Sequence, residues 1–158
     1  MISTEKKAIK IISFVCLGTQ CLAALILLIL IANEKTIYSL SGMRDSAITE
    51  QFVIPWTVVI PVFSHLCFAI LLVVLANKLK GKALKIAGIA IAVAFLLNSL
   101  SSTVQSIVGT QMAAMNGVNY LAANNIVTSM SVTIINPLLT VGTIGIAFAC
   151  GMMACMKD

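Results

Sequence analysis

The sequence predicts an all-α, polytopic integral membrane protein: one transmembrane domain over residues 1–158, built as a four-helix bundle with both termini cytoplasmic. Three observations predict it. The 158 residues are 60% hydrophobic and 9% charged, against about 25% charged in a soluble domain, and mean hydropathy is +1.09. The charges cluster, leaving uncharged runs of 23, 27 and 71 residues at 11–33, 51–77 and 86–156, where about 20 apolar residues already cross a bilayer. The lysines and arginines also alternate sides, as cytoplasmic flanks require.

Helix one is predicted at about 11–32, after Lys6, Lys7 and Lys10. Its uncharged run is longer than the 7–15 residues of a signal-peptide core and no A-x-A site follows, so it is expected to be a retained span. Residues 33–51 carry five nearly cancelling charges and read as a solvated loop. Helix two, about 52–76, opens with Pro55 in its first turn, where a missing N–H costs nothing. Helix three, about 86–109, follows a link holding Lys78, Lys80, Lys82 and Lys85. The 71-residue run must hold two spans, and residues 110–125 supply the break through an Asn116-Gly117 turn signal and the polar pair Asn124-Asn125. Within that break Met112, Met115, Val118, Leu121 and Ala122 recur three or four apart, the pattern of a short interfacial amphipathic turn; a lid over a cavity is the alternative. Helix four is predicted at about 126–156, before Lys157.

With this order eight of the ten basic residues share one side and only Lys35 and Arg44 lie on the other. That side is read as cytoplasmic. Tyr38, Trp56 and Tyr120 fall at or beyond the opposite helix ends, where amphipathic rings settle. The lysine-rich link is explained by topology and anionic lipid, so no nucleic-acid partner is expected. The expected partners are the lipid bilayer and a second copy or another membrane subunit, and the short loops fit a bacterial inner membrane. Lys7-Ala8-Ile9-Lys10-Ile11 and Lys82-Ala83-Leu84-Lys85-Ile86 lie 75 residues apart, and Pro61 and Pro137 lie 76 apart. The match fits two copies of an in-out-in hairpin, although lysine-flanked starts and prolines also recur in unrelated membrane helices.

The five cysteines, Cys16, Cys21, Cys67, Cys150 and Cys155, all fall inside predicted helices without a C-x-x-C. They read as small apolar packers. With one histidine and no intramembrane carboxylate, neither a metal set nor a general acid–base pair can be assembled. No cofactor and no enzymatic activity are expected, and carboxylate-coupled antiport is disfavoured.

Polar groups in hydrocarbon are costly unless paired, so their positions are the most informative feature of the chain. At 1.5 Å per residue, Gln20, His65 and Asn98 fall ~14, ~16 and ~18 Å from the lysine-side ends of their helices, and Asn136 ~15 Å from the opposite end of its own. All four are expected near the midplane. His65, with no counter-charge, is expected to be hydrogen-bonded, for instance to Gln20 or Asn98. In helix four Ser129, Thr133, Asn136, Thr140 and Thr143 are spaced 4, 3, 4 and 3 apart, one helical face. Ala147 and Gly151 continue that face as small residues suited to close packing, as Gly88 and Ala92 do in helix three. The far half of helix three is polar, with Asn98, Ser102 and Gln105 on one side. Interhelical hydrogen bonding explains single hydroxyls; about a dozen polar groups concentrated in two half-helices suggests a hydrated vestibule opening outward. Pro61 and Pro137 each free the carbonyl of a threonine, Thr57 and Thr133, which an ordinary kink satisfies locally or which a hydroxyl, a water or a solute could meet.

Two functions of different class follow. The first is a non-enzymatic channel or carrier subunit for a small neutral or weakly charged solute, its pathway lined by Gln20, His65, Asn98, Ser102, Gln105, Ser129, Thr133, Asn136 and Thr140. The second is a membrane-embedded accessory or immunity-type interaction subunit that docks through its small-residue faces.

Overall fold

The computed structural model describes residues 2–33, 56–115 and 131–156. Four long helices carry the fold: α1 (Ile2–Ala32), α2 (Trp56–Lys78), α3 (Lys82–Met115) and α4 (Asn136–Cys155). A π-helical turn, Ser131–Ile135, leads directly into α4. All four helices are long and apolar enough to cross a membrane.

Several boundaries differ from expectation, three of them for a local reason. α1 starts at Ile2 because lysines mark the end of the hydrophobic layer, not of the helix, and Glu5 in its first turn suits the positive end of the helix dipole. α3 runs to Met115, six residues past the expected end, since Gln111, Met112, Ala113, Ala114 and Met115 are good helix formers. From Ser131 the described part of the fourth span begins with a π turn beside Pro137, whose ring would crowd the carbonyl four residues back in an ordinary α turn. Pro137 therefore sits in the first turn of α4, whereas Pro61 lies inside α2. Ser129, most of the expected interfacial turn, Tyr38 and Tyr120 lie outside the described residues.

The helices form a ring in the order α2, α1, α4, α3, with α1 and α3 on opposite corners. α2 and α3 meet through a tight link in which Gly81 adopts φ +57, a conformation that favours glycine, while its carbonyl accepts from the N–H groups of Leu84 and Lys85. At the lysine-rich end all four helices build one core, around Ile9, Cys16, Leu72, Leu84, Ile146 and Met153. At the opposite end the core among the described residues consists of Ala23, Ala24, Leu27, Leu30, Val62 and Ile135, from α1, α2 and the π turn, with Leu138 and Leu139 of α4 packed against it. Among the described residues of α3, the last one buried is Phe95.

The outside is clad in large apolar side chains on every helix, such as Phe14, Ile70, Leu96 and Phe148. Water would penalise such a surface and lipid does not. The chain is a multi-pass membrane protein.

Candidate functional site

Between the two cores lies a layer of polar side chains gathered on one stretch of α4. α1 contributes Gln20, which is fully buried. Its Nε2 donates to the Leu138 carbonyl at 3.1 Å and to Thr19 Oγ1 at 3.5 Å. Room for the amide comes from Gly142: a Cβ there would overlap Gln20 Nε2. Gly145, three residues on, makes the same allowance for Cys16 Sγ. These two glycines let α1 and α4 approach closely, which is how membrane helices gain contact where lipid removes the hydrophobic driving force.

α2 contributes His65. Its Nδ1 lies 2.7 Å from the Pro61 carbonyl and its Nε2 3.2 Å from Thr143 Oγ1 of α4. A carbonyl can only accept, so Nδ1 carries the proton. Thr143 Oγ1 in turn lies 2.8 Å from the Leu139 carbonyl, to which it donates. α3 contributes an aromatic wall: the Phe95 ring stands edge-on to both His65 and Phe68, at centroid separations of 5.2 Å.

Of the expected midplane four, Gln20 and His65 converge on α4 and the other two take no part. His65 bonds Thr143 and the Pro61 carbonyl in place of Gln20 or Asn98. The reason is geometric: a side chain in a helix reaches the carbonyl four residues back without crossing the bundle. Asn98 is half-buried. Thr133, Asn136 and Thr140 are exposed on the outside of the bundle, and Thr140 Oγ1 donates to the Asn136 carbonyl at 2.8 Å, within its own helix. Ser102 and Gln105 belong to α3, with side chains outside the described residues.

The close-packing expectation divides the same way. Gly88 is buried, its missing Cβ position 2.6 Å from Met153 Cβ and 3.2 Å from the Cys150 carbonyl, and Ala92 packs beside the core. Ala147 and Gly151 instead face outward, and Gly151 meets nothing within 4 Å. Helix four packs within the chain through Gly142, Gly145, Ile146, Ala149 and Met153, the face opposite the expected one. Gly142 and Gly145 are the residues that sequence reasoning missed. Their spacing of three was legible, but in a helix apolar on every side it competed with the Thr143, Ala147, Gly151 series.

Comparison with protein-family models, curated proteins and solved structures gives no match. The reading of this layer rests on its geometry.

Proposed function

We propose that the chain is a non-enzymatic channel or carrier subunit for a small neutral or weakly charged solute, entered from the end opposite the lysine-rich core. One observation carries the reading: the polar layer of Gln20, His65 and Thr143 lies between the two cores, with the dense four-helix core of the lysine-rich end behind it. Such an arrangement suits a vestibule with a closed floor. The polar far half of α3, Asn98 to Gln105, would border that vestibule. Purified protein in liposomes should raise urea permeability, followed by light scattering, clearly above that of empty vesicles. Equal permeability would remove the transport reading.

The orientation belongs to the same proposal: both termini cytoplasmic, in a bacterial inner membrane, with the α2–α3 link inside, as the eight basic residues on that side imply. In a background without native cysteines, Ser41→Cys and Gly117→Cys should react with an impermeant maleimide from outside and Gly81→Cys should not. External labelling at position 81 would reverse the orientation and place the end opposite the lysine-rich core in the cytoplasm. The Lys-Ala-Ile-Lys and Lys-Ala-Leu-Lys starts of the two halves are compatible with a tandem hairpin origin.

The uncovered face of α4 favours a second reading, an accessory subunit that docks another membrane helix along Ala147 and Gly151. Gly151→Leu should then abolish co-purification of a partner, or self-association in detergent, without lowering the thermal midpoint of the isolated chain. Unchanged association would dismiss that face as an interface.

A further inference from the structure

The hydrogen-bond inventory of the polar layer is lopsided. Every strong donor is spent on a backbone carbonyl: Gln20 Nε2 on Leu138, His65 Nδ1 on Pro61, Thr143 Oγ1 on Leu139 and Thr19 Oγ1 on Cys16. The second N–H of the Gln20 amide goes to Thr19 Oγ1. Acceptors are left over. Gln20 Oε1 is buried without a hydrogen-bond partner, in a residue with no exposed surface. The one hydroxyl proton of Thr143 is shared by two acceptors, the Leu139 carbonyl at 2.8 Å and His65 Nε2 at 3.2 Å, so the imidazole nitrogen is only partly satisfied. Reversing the Gln20 amide would turn its oxygen toward the Leu138 carbonyl, so the neighbours themselves fix Oε1 on the unpartnered side.

We infer that this layer recognises the hydrogen-bond-donating end of a small polar solute, an N–H-rich amide or urea-like group in preference to a solute that only accepts. The inference rests on the transport reading for its biological setting and on the donor count for its chemistry. An N–H donor placed against Gln20 Oε1 or beside the His65 Nε2 and Thr143 Oγ1 pair relieves an under-satisfied acceptor, whereas an acceptor-only solute adds another lone pair to a region that has too many. A buried polar site tuned to one hydrogen-bonding pattern rejects the solute lacking it far more strongly than a merely apolar pocket does. Phe95 and Phe68, edge-on beside His65, supply an apolar wall for the rest of such a solute. His65 and Thr143 are half-buried, so that edge of the layer is open to approach, while Gln20 lies deeper.

Acetamide and acetone are nearly the same size and differ in the NH2 group, so they form the test pair. The full chain in detergent, labelled with 13C at glutamine side-chain carbonyls, is titrated with each, and the Gln20 resonance is identified by its loss in Gln20→Met. Acetamide should shift that resonance saturably and acetone should not. Thr143→Val, which removes one acceptor, should weaken acetamide binding about fivefold, the factor of one neutral hydrogen bond. Equal shifts with both probes, or none with either, would overturn the inference, and both are read on the unmutated protein whether or not the variants fold. Urea flux without donor-selective binding would sink this inference and leave the transport reading standing. Donor-selective binding without flux would do the reverse.

Discussion

Gly142→Ala lowers the thermal midpoint of the bundle in detergent more than alanine at any outward-facing glycine, although it adds one methyl group. The added carbon would occupy the place of Gln20 Nε2, at the closest approach of α1 and α4. Overpacking of this kind costs about 1–3 kcal/mol, and an amide pushed off the Leu138 carbonyl leaves a buried donor unpaired for about 1–3 kcal/mol more. The sum is large beside the total stability of a domain, about 5–15 kcal/mol. Gly151→Ala is the control: nothing lies within 4 Å of it, so its effect should stay near the helix-propensity difference and be neutral or favourable. Gln20→Ala in the same chain should recover part of the loss, because shortening residue 20 vacates the space the methyl needs. Equal midpoints for the alanine variants at 142 and 151 would show that α1 and α4 are not in contact at this level.

Gln20→Met should act in the opposite direction on stability and against function. Methionine has the length and flexibility of glutamine, so it fits beside Gly142, and it removes an acceptor buried without a partner. The orphan costs about 1–3 kcal/mol, while the interhelical bond lost with it returns about 0.6 kcal/mol in a membrane setting. Leu138 is left with the ordinary helical donor of Gly142, so nothing new is unsatisfied. The variant should therefore melt higher than the parent, yet carry less urea in liposomes. A destabilised variant would mean that Oε1 has a structural partner in the folded protein, and the donor-deficient description of the layer would fail with it.

His65→Leu, by contrast, is expected to be mild. Both partners keep other bonds: Thr143 Oγ1 still donates to Leu139, and the Pro61 carbonyl still has its own helical donor. What is lost is the edge-on contact with Phe95, worth about 0.5–1.5 kcal/mol, which leucine partly replaces by packing.

Chain-level architecture was readable because length and charge report directly on a bilayer: uncharged runs broken by lysine clusters have few arrangements, and four spans is the one realised. The depth of Gln20 and His65 was readable too, since rise per residue converts position into height. The azimuth of each residue was not. In water the polar face of a helix marks its outside, but α4 is apolar both where it meets α1 and where it meets lipid, so hydrophobic periodicity cannot phase it. That is why Ala147 and Gly151 drew attention that belonged to Gly142 and Gly145, and why the stripe Thr133, Asn136, Thr140 lies outside the bundle while only its neighbour Thr143 reaches His65. Hydrogen-bond partners were illegible for the same reason: Leu138, Leu139 and Pro61 act through backbone oxygens, which every residue has.

α3 carries its own azimuthal key. Leu84, Gly88, Ile91 and Phe95 recur at steps of four, three and four and are all buried, a single stripe ~16 Å long that holds the helix against its neighbours. Turning α3 by one residue about its axis, about 100°, would withdraw all four at once. The last tooth of that key is Phe95, whose ring stands edge-on to His65, so the rotation of α3 and the setting of the imidazole are fixed by the same contact.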